Sequence, residues 1–251
     1  MKVLVFGGTT EGRLLARELS ALGAQVTVSV ATALGAEELR GVPPLTVCVG
    51  RKDARQMREM LPGFAVCVDA THPYAAEASG NIRAACLAAG VPYRRLLRGA
   101  SALPPDSVVV PDAPAAARWL AGTQGNILLA TGAKELAAFA GLDAERLYPR
   151  GLPTAEGVAG CAGAGAPPRP VHGREGPFTR ELNEALMRRF DIGYLVTKDG
   201  GAPGGFGEKA QAVRNVGARL VVIRRPADSG EDYAAVLNEC KIGRAAGWGK
   251  G

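Results

Sequence analysis

Three short stretches carry residue types and spacings that could do chemistry. Residues 7–12 read Gly7, Gly8, Thr9, Thr10, Glu11, Gly12, after the apolar run Val3 to Phe6 and before the helical stripe Leu14, Leu15, Leu19, Leu22. A glycine-rich turn from strand to helix presents unpaired backbone N–H groups at the positive end of the helix dipole, which suits an anion. Aligned to G-x-G-x-x-G, Gly7 takes the first position and Gly12 the third, where helix packs on strand; Thr9 takes the middle position, nearest a pyrophosphate. Glu11 suits the dipole but would repel a phosphate if it pointed at one. A tight turn that binds nothing would use the same residues.

The second stretch, DATHPYA (69–75), follows another apolar run, FAVCV. Pro73 keeps His72 out of the helical region, so the imidazole sits on a fixed turn and titrates near neutrality. A histidine so placed is either functional or simply a polar turn residue. The other histidine, His172, falls in a loop. The third stretch, YLVTKDGG (194–201), matches the Y-x-x-x-K spacing of short-chain dehydrogenases at Tyr194 and Lys198. The residues between them predict a strand, which would hold the two side chains about 13 Å apart. What remains useful is that Lys198 and Asp199 end a strand before a glycine-rich turn. Lys134, after Thr131 and Gly132, has a similar place, and either lysine could also be a solvated turn residue.

These stretches need elements to position them, and strand and helix alternate along the chain. Strands are predicted at 3–6, 24–32, 45–50, 64–73 and 91–98, with helices between them, one capped by Asp53 and one Ala-rich to about residue 89. The plan recurs at 125–141 and 193–217, and 218–226 supplies a last strand. The fold class is therefore α/β: two Rossmann-like subdomains with parallel sheets, a dinucleotide-binding subdomain at 1–124 and a second at 125–251. The segment 160–170 reads as a surface loop of low complexity, and the tail from Lys241 has no periodicity that marks an element.

Composition sets limits on function. The 251 residues are 47% hydrophobic and 22% charged, with five well-separated cysteines and a net charge of +6. No apolar run reaches membrane-spanning length and no leader pattern follows Met1, so a cytoplasmic protein with no membrane partner is expected. The cysteines suit neither a disulfide framework nor zinc, and no metal site is expected. The basic residues are scattered, without a dense run or stacking aromatics, which argues against nucleic acid and for a polyanionic small molecule. At the end of the second strand stand Ala31, Thr32 and Ala33, with no acid before Glu37 and no arginine before Arg40. Nothing there suits a 2′-phosphate, so NADH is favoured, with NADPH possible.

Taken in order, VLVFGGTTEGR, DATHPYA, LLATGAKELAAF, GPFTRELNEAL and LVTKDGGAPGGFGEKAQAVRNVGARLVVIRRP resemble the precorrin-6A reductases of cobalamin biosynthesis over nearly the whole chain. The resemblance implies a reduced nicotinamide cofactor and a corrinoid-precursor macrocycle bound in a cleft between the subdomains. The implied reaction delivers a hydride to one end of the C18–C19 double bond and a proton to the other. Cofactor contacts would fall to Gly7, Gly8, Thr9, Thr10, Glu11, Gly12, Thr32, Thr71, His72 and Pro73. The macrocycle's carboxylates would meet Lys134, Arg150, Lys198, Asp199, Lys209 and Arg224, with Lys198, His72 and Tyr74 as candidate acids. The pattern Thr32, Ala33, Leu34, Gly35 is similar to the NADH-using, cobalt-precorrin-6A branch. Gly200 stands where the family tends to have Ser, and the glycine-rich tail has no counterpart. The protein would act as a monomer or homodimer. A methyltransferase using S-adenosylmethionine and a nucleotide-sensing regulator are the alternatives that share these features.

Overall fold

The computed structural model describes residues 1–41, 44–150 and 178–245. The chain divides into two compact units, Met1–Gly99 with Pro226–Gly251, and Ala100–Arg225.

The first unit is built on five parallel strands, β1 (Lys2–Phe6), β2 (Gln25–Val30), β3 (Leu45–Val49), β4 (Val66–Asp69) and β5 (Tyr93–Arg95), in the order β3-β2-β1-β4-β5. Pleating decides the faces. Val3 and Val5 enter one core with Leu15, Leu19 and Val28, while Leu4 and Phe6 enter another with Met57, Leu61 and Ile82. Burial on both faces explains why these strands read as continuous apolar runs. The helices are α1 (Thr10–Ala21), α2 (Ala33–Glu37), α3 (Ala54–Met60) and α4 (Ala76–Ala89). Asp53 caps α3 as expected, and Gln56 completes a capping box with it. The strand order reverses between β1 and β4, and in doubly wound sheets ligands bind beyond the carboxyl ends of the strands that flank such a reversal. Residues 7–12 and 69–75 both start there.

The second unit also has five parallel strands: β6 (Val108–Val110), β7 (Asn126–Ala130), β8 (Leu147–Pro149), β9 (Ile192–Lys198) and β10 (Arg219–Ile223), ordered β6-β10-β9-β7-β8. Its helices are α5 (Ala113–Ala121), α6 (Arg180–Arg189) and α7 (Phe206–Val216). The helix expected after β7 is a 3₁₀ helix, Ala133–Phe139, whose three-residue period puts Leu136 and Phe139 on one buried side. Here the order reverses between β7 and β9, so Thr131 and Lys198 flank the second switch point.

The units are not the halves 1–124 and 125–251 expected from the sequence. β6 lies inside the turn-rich stretch 101–114 and pairs with β10, which takes α5 into the second unit. The chain then returns to the first unit through paired backbone bonds of Glu231 with Arg95 and Leu97, both 2.8 Å, and helix α8 (Tyr233–Ala245) adds Val236, Leu237 and Cys240 to the core of α1. Cys67, Cys86 and Cys240 are buried and Cys48 half-buried. Segment 160–170, with Cys161, His172 and the end of the tail, lies outside the described residues. Among the described residues no helix is long and apolar enough to cross a membrane.

Helix α1 sits so close to the end of β4 that a Cβ at Gly12 would stand 2.7 Å from the Ala70 Cβ. Gly12→Ala should therefore destabilise the protein by about 1–3 kcal/mol, the usual cost of overpacking. Urea unfolding checks this: the midpoint should fall with the slope unchanged, and an unmoved midpoint would mean that helix and strand are not in contact there.

Candidate functional site

Thr9 is the N-cap of α1, with its hydroxyl accepting from Gly12 N at 3.1 Å and donating to Ala70 O at 3.0 Å. The side chain expected beside a pyrophosphate thus serves the fold. It ties the glycine turn to the DATHP turn, which brings the two groups of expected cofactor residues together. Among the described residues, no protein acceptor takes the backbone N–H groups of Gly8, Thr9, Thr10 and Glu11. Gly8 has φ +144° and nothing within 4 Å of where a Cβ would be, so the chain there faces open space. Gly7 is packed, its Cβ position 3.1 Å from Val28 Cγ1. Glu11 pairs with Arg98 at 2.8 Å, which offsets the negative charge at the helix start. These are the features an incoming diphosphate requires: orphan donors, a close backbone approach and a neutralised acid.

At the end of β2, Thr32 caps α2 by accepting from Gly35 N at 3.2 Å. The nearby arginines have carboxylates: Arg13 pairs with Glu38 and Arg40 with Glu37.

The DATHP turn hangs on Asp69, which is 0% exposed at the end of β4. Its carboxylate accepts from Thr71 N at 3.0 Å, Thr71 Oγ1 at 2.7 Å, Tyr93 Oη at 2.9 Å and Arg95 Nη1 at 3.0 Å. Burial, then Asp69, pushes the Tyr93 phenol well above its usual range, so it stays a donor. Arg95 also donates to Thr71 O at 3.0 Å and to Asp228 Oδ2 at 2.7 Å. Thr71 is thus engaged within the turn. Beyond it, Tyr74 N donates to His72 Nδ1 at 3.3 Å and the two rings lie 5.5 Å apart.

The second unit repeats the device. Asp199 is buried at the end of β9, accepts from Gly201 N at 3.2 Å, and pairs with Arg225 at 3.1 Å. In both units aspartate and arginine are 26 residues apart, the aspartate's Oδ1 receives an N–H from two residues on, and the arginine donates to the aspartate's own carbonyl. Lys198 donates to Glu135 at 2.8 Å. Arg150 ends β8, 7% exposed, and donates to Asn183 Oδ1 at 2.7 Å, with its guanidinium 4.4 Å from the centre of the Phe178 ring. Half-buried Lys209 donates to Gly204 O at 2.7 Å. Burial lowers the Lys209 pKa to about 8, Arg150 nearby adds to this and Glu208 opposes it. Lys134, in the 3₁₀ helix after β7, and Arg224, just past β10, are exposed.

Of the expected residues, the structure joins Gly7 to Gly12 with Thr71 to Pro73, sets Arg150 near Lys209, and leaves Asp199 engaged by Arg225. Sequence reading missed Arg98, Asp69, Arg95 and Asn183. The twice-repeated 26-residue spacing was a usable signal for Asp69 and Arg95; Asn183 had none. No three of His, Cys, Asp and Glu among the described residues could hold a metal.

Fold and strand-end turns define a Rossmann-like α/β protein of two parallel sheets. The model of the family described as precorrin-6x reductase CbiJ/CobK matches residues 2–241. The chain belongs to that family of cobalamin-pathway reductases. It is 32% identical to a cobalt-precorrin-6A reductase of Priestia megaterium, covering 89% of this chain and 90% of that one. It is 36% identical to one from Salmonella typhimurium, covering 89% and 87%. A solved CobK precorrin-6A reductase superposes with a TM-score of 0.75 at 27% identity, over 99% of this chain and 98% of that one. Membership in a reductase family displaces the methyltransferase and regulator alternatives.

The desolvated lysine carries a testable cost. Below about pH 8 folded and unfolded chains both hold the Lys209 proton, and the fold bears the full penalty of the buried charge. Between about 8 and 10.5 the unfolded chain binds more protons, so native stability rises with pH. Lys209→Met should therefore raise the thermal midpoint at pH 7, with the gain shrinking by pH 10. Melting both proteins at the two pH values decides it; a variant less stable at pH 7 would mean the ammonium is well solvated.

Proposed function

We propose that the chain reduces the macrocycle of cobalt-precorrin-6A with NADH, the dinucleotide being held at the start of α1. The observation that carries this reading is the turn at residues 7–12, where four backbone donors lack partners among the described residues at a switch point and Gly8 opens onto free space. Gly7 and Gly12 keep strand and helix close, Thr9 fixes the turn, and the His72–Pro73 turn forms the adjacent wall. A bound reduced nicotinamide supplies a hydride.

The rest falls to the chain's own residues. The reduction breaks one carbon–carbon π bond and forms two C–H bonds, so one carbon needs a proton. His72, Tyr74 and Lys198 are the candidate donors, and His72 Nδ1 already accepts from Tyr74 N at 3.3 Å. Lys198, an ammonium beside Glu135, is the acid this reading favours. NADH is favoured over NADPH because the end of β2 offers Thr32, already engaged in capping α2, while Arg13 and Arg40 are matched by glutamates.

The test is a four-way assay of NADH and NADPH against cobalt-precorrin-6A and metal-free precorrin-6A. NADH with the cobalt substrate should be the most efficient pair, and NADPH poorer by roughly 10-fold or more, the worth of one missing charged contact. Preference for NADPH would overturn the cofactor assignment, and no oxidation with either would overturn the function. In the same assay Lys198→Met should lower kcat far more than it raises the KM for NADH.

A further inference from the structure

Among the described residues, two cations of the second unit form no salt bridge. Arg150, 7% exposed, has a single polar side-chain partner, the amide oxygen of Asn183. Asn183 is itself fully buried, its amide nitrogen held by Thr179 O at 2.8 Å, so that oxygen is fixed in place. Lys209 is close enough to feel the Arg150 charge and reaches only a backbone carbonyl, and no described residue forms a salt bridge with either cation. Elsewhere the protein does otherwise: Arg95 meets Asp69 and Asp228, Arg98 meets Glu11, and Arg225 meets Asp199. Glu208 offsets part of the repulsion at Lys209, but burying like charges together without a paired acid is costly, and an incoming anion would lower that cost.

A second observation comes from the neighbouring strand. Thr131, just past the end of β7, is 6% exposed and its hydroxyl has no partner among the described residues. An unmet buried hydroxyl costs about 1–3 kcal/mol. Arg150 N donates to Leu129 O at 2.8 Å, which places Thr131 and Arg150 on adjoining strand ends, and β7 flanks the reversal of strand order.

We propose that Thr131, Arg150 and Lys209 form a carboxylate pocket that seizes one acidic side-arm of the macrocycle. The proposal rests on the substrate reading above and adds to it the group recognised and the residues that recognise it. Asn183 aims the guanidinium.

Cobalt-precorrin-6A is titrated into the full chain without nicotinamide, followed by the macrocycle's absorbance, and NADH is titrated separately. Arg150→Gln should weaken macrocycle binding by roughly 10- to 100-fold, and Arg150→Lys should recover part of the loss. Thr131→Val should weaken it by roughly 5- to 10-fold, and NADH binding should stay within about twofold throughout. If Arg150→Gln does not fold, Lys209→Met, expected to be no less stable than the parent at pH 7, should show the same loss. Unchanged macrocycle binding in Lys209→Met and in the folded Arg150 variant overturns the pocket. Weakened NADH binding with macrocycle binding intact also overturns it, by giving the cations to a nucleotide phosphate. A wild-type chain that binds the macrocycle but reduces it with neither cofactor sinks the proposed reaction while leaving the pocket standing.

Discussion

In each unit a buried aspartate at the end of an inner strand is locked to an arginine at the end of the next strand out, and the strand-end turns are hung from that lock. Asp69 holds Thr71 and Tyr93 as well as Arg95; Asp199 holds Gly201 and Arg225. Such a pair adds little net stability, because desolvation offsets most of the attraction, but losing either partner strands a charge in the interior. Its value is directional. A carboxylate that accepts from the backbone two residues on bends the chain away from the sheet at one angle only, and the arginine's bond to the aspartate carbonyl stops the strand from running further. Both sheets thereby present a turn of defined shape beside their reversal of strand order.

Charge is distributed unevenly around this frame. In the first unit the arginines near the candidate cofactor turn are matched by Glu11, Glu38 and Glu37, so the binding feature left is made of neutral backbone amides and a helix dipole. In the second unit the features left are side-chain cations. A dinucleotide and a carboxylate-rich macrocycle make different demands, and under the proposed function the two sheets would meet them with different donors on one architecture.

Much of the frame was legible in the sequence. Continuous apolar runs identified the inner strands, glycines marked the turns after β1 and β9, and Asp53 announced its own cap. What stayed hidden depended on partners distant in the chain. Thr9 looked like a ligand contact because its bond to Ala70 O crosses 61 positions. Lys198 looked isolated because Glu135 lies 63 positions away. The three-residue strand β6 is too short to show a period amid prolines and glycines, and its pairing with β10 is what moved the unit boundary. Helix α8 escaped because Val236, Leu237 and Cys240 are a narrow stripe in a polar segment.

That last helix has a consequence for how the protein is made. The first unit is discontinuous: residues 1–99 leave the core around Leu15 and Leu19 without its cover until Val236 and Cys240 have been synthesised. The second unit is continuous and complete by Arg225. On the ribosome, therefore, the later unit is the first to have its whole sequence, and the earlier one waits as an open, sticky nascent intermediate that only the last helix can close.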